Sequence, residues 1–151
     1  MTQTETKKPG TPGRFSRWMQ HRANARLIRK VRDGKGKFWG MDVLVLHTVG
    51  RRSGERRETP LAWFDDGSGG RVIVASGGGA RHPDWHTNLF AEPDQAAYEL
   101  PGDPPVSATP EGLEGAERER VWQIVAESSP QIAKYQAKSD RVYPLIRLQP
   151  R

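Results

Sequence analysis

Short apolar runs recur along the chain, separated by stretches rich in charge, glycine or proline. After residue 40 these runs are brief and rich in β-branched residues, a pattern that predicts strands rather than long helices. The predicted strands cover residues 43–48, 61–64, 71–75, 95–100, 106–108 and 143–148. Asp- and Gly-rich residues 65–70 predict a hairpin between the second and third of them. Because strands and helices do not alternate regularly, the pattern favours a small α+β barrel over a parallel sheet.

Helical spacing is confined to the two ends of the chain and one short internal stretch. Over residues 15–32 the apolar positions recur every three or four residues and share one face: Phe15, Trp18, Met19, Ala23, Leu27, Ile28 and Val31. The sequence Thr109-Pro110-Glu111 is typical of a helix start and predicts a helix to about residue 127. Shorter helices are predicted over residues 82–90 and 131–138. Residues 1–14 lack periodicity, so we expect a disordered tail before a domain of residues 15–151.

Positive charge is concentrated at the N-terminus. The net charge is +6, but residues 1–40 carry 11 Lys and Arg against two acids, and residues 41–151 carry 13 against 16. This distribution favours a local anionic contact over a nucleic-acid-binding domain. Three interpretations of the basic helix stay open: a helix packed on the barrel, an interfacial helix on an anionic membrane, or a nucleic-acid contact. With no signal-peptide core and no apolar run near the ~20 residues of a membrane span, a cytoplasmic protein is expected, with peripheral membrane contact still open.

Two loops have unusual composition. In residues 50–60, four arginines surround a glycine-flanked turn: Arg51, Arg52, Arg56 and Arg57. Guanidinium groups fit phosphate or carboxylate oxygens in two-point contacts. A solvated basic hairpin would have the same sequence pattern. The turn lacks the GK[ST] ending of a nucleotide-triphosphate loop. Such a turn can anchor an anionic ligand.

The second loop, residues 76–88, follows a predicted strand and opens with Ser76 and three glycines. Glycines remove side-chain bulk, so a flat ring could lie against the backbone, although a flexible turn has the same composition. The histidines His47, His82 and His86 lack the ligand number and helical spacing of a metal site, and we expect none. There is also no GxSxG nucleophile elbow.

Three segments, LHTVGRRSGERRETPL, VIVASGGGARHPDWHTNL and SDRVYPLIRL, together resemble the deazaflavin (coenzyme F-420)-dependent nitroreductase family over residues 15–150. The resemblance implies a split β-barrel of about six mostly antiparallel strands, with an N-terminal helix and C-terminal helices packed outside. It also implies an oxidoreductase that transfers a hydride from reduced coenzyme F-420 to a small organic acceptor: a quinone, an enone or a nitro compound.

Carried over by position, the resemblance implies a set of cofactor-binding residues. Those expected to meet the phosphate and acidic tail, or to line the same side, are Arg51, Arg52, Ser53, Arg57, Thr59, Pro60, Leu61 and Ala62. Those expected to hold the ring edge or close the cleft are Ala75, Ser76, Gly77, Asp84, Trp85 and Asn88. Tyr135 matches a tyrosine that faces the substrate, and either Ser76 or Tyr135 is the expected proton donor.

The sequence departs from the family pattern at four positions. Gly77 replaces a usual lysine, Ala62 replaces a common aromatic residue, and Ser129 and Ile132 stand where the best-known member has tyrosines. We therefore expect an intact cofactor half and an altered substrate half. Two alternatives remain: a split-barrel flavin or haem binder, or a non-enzymatic binder of membrane or nucleic acid. No nucleic acid is expected in the leading hypothesis, and the chain is expected to be a monomer or homodimer.

Overall fold

The computed structural model describes residues 14–38, 40–77 and 81–151, and for residues 14–18 only the backbone. The helices are α1 (Arg14–Arg32), α2 (Asp84–Ala91), α3 (Gly115–Ser128) and α4 (Pro130–Lys138), with a short 3-10 helix at Pro93–Gln95. The strands are β1 (Lys37–Phe38), β2 (Met41–Val49), β3 (Arg56–Ala62), β4 (Arg71–Val74), β5 (Ala97–Glu99), β6 (Val106–Gly112) and β7 (Leu145–Pro150).

The described strands form one curled sheet in which every pairing is antiparallel. Its order is β1-β2-β5-β6-β7-β4, and β3 pairs with β2 away from this path. The helices pack against or beside this half-barrel. The α+β split β-barrel prediction is therefore confirmed, with seven strands in the described residues in place of about six.

The apolar side chains separate into three buried groups, because a curled sheet has an inner face and two outer areas to cover. The inner face gathers Leu44, Leu46, Ile73 and Ile146 with Leu89 of α2. One outer area packs on α3, whose buried residues are Val121 and Val125. The other packs on α1.

Helix α1 is confirmed, and its buried side chains, among those described, lie in its last turns. Ile28 and Val31 are buried against Val43 and Val45 of β2, whereas Met19 is 53% exposed. The predicted side chains Phe15 and Trp18, and the predicted tail apart from Arg14, lie outside the described residues. No helix among the described residues is long and apolar enough to cross a membrane.

The prediction for residues 50–64 was wrong in its boundaries. Half of the predicted charged loop belongs to β3, which pairs with β2 from Val49↔Arg56 to Val43↔Ala62. The predicted hairpin across residues 65–70 is reduced to one bridge, Phe64↔Val72, and β4 pairs instead with β7. Strand β3 is joined to only one neighbour in the described sheet, so its charged side chains remain in water and hide its strand character.

The helix start predicted at Thr109 was also wrong. Residues 106–112 form β6, and α3 begins at Gly115. Thr109 and Pro110 pair with Gln149 and Leu148 of β7, whereas the described pairing with β5 ends at Ser107. Pro110 therefore lies where no second strand requires its missing N–H. Long-range pairing decided the outcome against a local capping signal.

Candidate functional site

The turn between β2 and β3, residues 50–55, is held by its own backbone and one hydroxyl. Gly50 N–H donates to Glu55 O, Gly54 N–H donates to Gly50 O, and Glu55 N–H donates to Ser53 Oγ. Gly54 has a φ of +72°, a conformation that favours glycine. A Cβ on Gly50 would lie 2.6 Å from Ser53 Oγ and 3.0 Å from Arg57 Nε. Glycine at position 50 therefore lets this hydroxyl and this guanidinium approach the backbone.

One arginine ties the turn to α2. Arg51 donates to Asn88 Oδ1 twice, from its backbone N–H at 3.1 Å and from its guanidinium at 2.8 Å. A looser ion pair joins Arg51 to Asp84 at 3.5 Å. Asn88 is 2% exposed, so its side-chain oxygen is a fixed acceptor. The two loops selected from the sequence are thus brought into direct contact.

The register of β2 and β3 separates the predicted residues into two faces, because cross-strand partners share a face. Arg57, Thr59 and Leu61 are opposite Thr48, Leu46 and Leu44, on the inner face. Pro60 and Ala62 are opposite Val45 and Val43, the face that α1 covers. The adjacent arginines follow the same rule: Arg57 lies on the inner face and Arg56 on the outer face.

The segment after β4 leads from the core to the surface. Ala75 is buried in the inner core, Ser76 is half-buried, and Gly77 is exposed. A Cβ on Gly77 would meet only Pro83 Cβ, at 3.9 Å. Gly78 and Gly79, the rest of the glycine run, lie outside the described residues. The described part leaves an open, bulk-free backbone next to α2.

Helix α2 adds an aromatic group beside this segment. Trp85 is half-buried and packs against the inner core. The rings of His82 and His86 are 4.8 Å apart, and His86 contacts Phe90 at 5.0 Å. Burial, with the nearby charges of His82 and Arg141, lowers the pKa of His86 below its usual value. His86 is therefore a neutral part of the packing at neutral pH.

The predicted substrate residues are on α4 and its start. Tyr135 is 53% exposed. Ser129 is buried, and its Oγ accepts a hydrogen bond from Ile132 N–H, which caps the helix. Ile132 packs against the α3 core. Ser129 and Ile132 therefore cap α4 and pack it against the α3 core.

His47 lies in a different cluster, on the outer face. Ligand atoms of His47, Glu58 and Glu99 all lie within 4.8 Å of one another, a spacing that could hold a metal ion. Arg32 already donates to both carboxylates, at 2.6 Å to Glu58 and at 3.0 and 3.2 Å to Glu99. Its hydrogen bond lowers the pKa of Glu99 against the effect of burial. The cluster therefore fastens the end of α1 to the sheet.

Two residues that the sequence analysis did not select contribute to the same region. Arg141 donates to the carbonyl oxygens of Ala75, Ser76 and Gly77 and to His82 Nδ1. Thr48 is 3% exposed on the inner face, and its hydroxyl has no partner among the described residues. Thr48 lies inside the first segment of the family resemblance, which assigned it no role. Arg141 lies inside the third segment of the family resemblance, but only the folded chain shows what it contacts.

We call the turn at residues 50–55, the inner face of β3, residues 75–77 and α2 together the cationic edge. Arg52 of the turn and Arg57 of the inner face form no salt bridge within the described residues. Guanidinium donors therefore remain available for anionic oxygens, beside backbone that a flat group can approach. This donor set fits a planar cofactor with an acidic tail.

Fold and edge together define a split-barrel protein of the cofactor-binding oxidoreductase class. The family model described as F420H(2)-dependent quinone reductase matches residues 18–150. The chain belongs to this family. It is an oxidoreductase that depends on reduced coenzyme F420, and the flavin or haem alternative is not favoured.

Relatives agree with this assignment over most of the chain. An F420H(2)-dependent quinone reductase of Mycobacterium tuberculosis is 30% identical over 142 residues, 87% of this chain and 95% of the relative. A solved F420-H2 dependent reductase (FDR-A) is 30% identical with a TM-score of 0.60, over 71% of this chain and 93% of the other. A structure described as a domain-swapped dimer is 28% identical with a TM-score of 0.62, over 88% and 98%.

Proposed function

We propose that this chain reduces a quinone with F420H2 bound at the cationic edge. The observation that carries the proposal is the Arg51–Asn88 contact, which holds the arginine turn against α2. Gly77 in turn lies next to Pro83, at the start of α2. Arg57 of β3 and Ala75, which begins the glycine segment, both lie on the inner side of the sheet. The quinone itself comes from the family and from the named relative.

The binding roles divide by chemistry. Arg51, Arg52, Ser53 and Arg57 hold the phosphate and acidic tail, because guanidinium and hydroxyl groups donate to anionic oxygens. Residues 75–77 and Trp85 hold the flat ring, and Thr59 and Leu61 line the inner face beside it. Pro60 and Ala62 contribute through their backbone, since their side chains share the α1 face. When bound, the coenzyme supplies the hydride.

The protein must also deliver or admit a proton to the reduced acceptor. Ser76 is half-buried within residues 75–77, and Tyr135 is exposed on α4, so an acceptor can reach both hydroxyls. Ser76→Ala and Tyr135→Phe each remove one hydroxyl and keep the shape. If a hydroxyl donates the proton, its variant should lose kcat about 100-fold while coenzyme affinity stays the same. If both variants keep wild-type kcat, water is the donor.

Binding is tested by titrating the full chain with F420 and following the fluorescence of its ring. Arg57→Ala should weaken binding about tenfold, since one charge-assisted hydrogen bond is lost. Arg56→Ala is the matched control, because Arg56 has the same charge, neighbours Arg57, and faces the opposite side of the sheet.

The titration can reject the proposal in two ways. Wild-type protein that shows no saturable binding at low salt contradicts the proposed coenzyme site altogether. Equal losses in Arg56→Ala and Arg57→Ala would mean that net charge alone attracts the coenzyme, and the assignment of the inner face would fail.

Assembly and location are separate proposals. The related domain-swapped dimer supports a homodimer over a monomer for this chain. Light scattering on the purified protein decides between them. A cytoplasmic location and contact of α1 with anionic membrane stay predictions. Exposed Met19, on a helix rich in basic residues, is the feature that supports membrane contact, and co-sedimentation with anionic and neutral vesicles tests it.

A further inference from the structure

Arg141 lies between α4 and β7 and contacts both ends of the glycine-rich loop. One guanidinium nitrogen donates to Ala75 O and His82 Nδ1, each at 2.9 Å. The other donates to Gly77 O at 2.9 Å and Ser76 O at 3.3 Å. Since an arginine can only donate, His82 Nδ1 is the acceptor, and the neutral ring carries its proton on Nε2.

The arginine is itself held from behind. Gln136 of α4 donates to Arg141 O at 2.9 Å and accepts from Tyr143 N–H at 2.8 Å. The guanidinium lies over the ring of Tyr143 at 5.0 Å. These contacts fix both the backbone and the plane of the arginine, so its donors point in set directions.

Three consecutive carbonyl groups that converge on one cation determine where the amides point. In a planar trans peptide the N–H is opposite the C=O, so Ser76 N–H and Gly77 N–H point away from Arg141. Neither N–H donates a hydrogen bond within the described part of the chain. These two amides therefore point away from the guanidinium, and no described residue accepts a hydrogen bond from them.

We propose that Arg141 is a positioning residue, which fixes residues 75–77 so that the amides of Ser76 and Gly77 meet the coenzyme. This inference rests on the proposed function. Arg141 acts through the backbone, because its two terminal guanidinium nitrogens donate to the three carbonyls and the imidazole. A planar guanidinium can serve this set of acceptors, whereas a lysine ammonium has three donors and no fixed fork.

The experiment compares R141K and R141Q with R118K in the full chain. Arg118 is the matched control, because it is part-buried, donates to Tyr143 O at 2.8 Å in the same segment, and forms no hydrogen bond or ion pair with residues 75–77 in the described part of the chain. Two quantities are measured: the dissociation constant of F420 by fluorescence, and amide hydrogen exchange of peptides that cover residues 75–82.

In R141K we expect F420 affinity to fall about tenfold, because hydrogen bonds from a charged group to the loop are lost. The KM for the quinone should stay unchanged. Exchange should increase in residues 75–82 and stay the same in β2 and β7. R141Q should show the larger effect, and R118K should bind F420 like the wild type.

Each contrary result is distinct. Wild-type affinity in R141K and R141Q overturns the inference, and so does an equal loss in R118K, which would indicate general loosening of residues 139–144. If the wild type fails to bind F420, the proposed function fails. Hydrogen exchange then tests by itself whether Arg141 holds residues 75–77 in place. Unchanged exchange in residues 75–82 of R141K overturns that inference.

Discussion

Arginines occupy two regions of this molecule in opposite ways. Arg147 on β7 is 8% exposed and donates to Asp66, Glu111 and Glu117, and its partner Asp66 is fully buried. Burial raises the pKa of Asp66, but hydrogen bonds from Ser68 and Arg147 outweigh that effect and lower it. At the cationic edge, the side chain of Arg51 is 30% exposed, and its ion pair with Asp84 spans 3.5 Å.

The difference teaches how to separate structural from ligand-binding arginines. A buried arginine with short carboxylate contacts has its charge neutralised inside the protein, so its removal affects folding. A more exposed arginine without a short carboxylate contact adds less to folding, so its removal chiefly weakens the binding of an external anion. Residue type is identical in the two regions, and only burial and partners distinguish them.

The largest effect is expected at the buried pair. Arg147→Met leaves the Asp66 carboxylate buried without its partner and should lower the free energy of unfolding by about 3–5 kcal/mol. Chemical denaturation measures it. Coenzyme affinity of the remaining folded protein should equal that of the wild type. Adding Asp66→Asn should recover part of the loss, and full additivity of the two changes would contradict the pairing.

At the cationic edge we expect the opposite result: substitutions lower coenzyme affinity more than they lower stability. The double variant Arg51→Ala, Arg52→Ala should weaken F420 binding by about 100-fold, since two charge-assisted contacts are lost. Its affinity should also depend less on ionic strength, because fewer charges remain to be screened. Titrations at low and high salt provide the measurement. A salt dependence identical to that of the wild type would remove the phosphate assignment.

Asn88 shares a property with each region, because it is buried and yet belongs to the cationic edge. Asn88→Ala removes the acceptor of two Arg51 donors and should cost about 1–3 kcal/mol of unfolding free energy. Coenzyme affinity should fall as well, since the turn is no longer held against α2. Thermal melts and the F420 titration test both parts. If stability falls and affinity does not, the contact organises the fold alone.

The smallest effect is a pH dependence from His86. Its folded pKa is lowered, chiefly by burial, below the ordinary value of about 6.5 that it regains on unfolding. As pH falls through about 6.5, the unfolded chain binds a proton that the folded chain does not, so stability declines. His86→Gln should show a shallower decline in unfolding free energy between pH 8 and 5.5. The same change at exposed His21 is the control, and equal slopes in all three proteins would contradict the prediction.

Local pattern identified most elements but failed where pairing was distant. Helix α1 carried clear periodicity and strand β2 a continuous apolar run, and both formed close to their predicted bounds. Strand β3 was hidden by its charges, and residues 109–112 had the signature of a helix start yet pair with β7. In each case the outcome depended on hydrogen bonds to a strand that the local sequence does not contain.

The sequence by itself determined the kind of protein: an α+β barrel with an arginine turn, a glycine segment and a family resemblance that names the coenzyme. Tertiary structure alone decided that Arg51 meets Asn88, that Arg57 and Arg56 face opposite sides, and that Arg141 lies behind residues 75–77. The physical reason is that composition sets which groups can bind an anion. Strand register and long-range contacts set where those groups point.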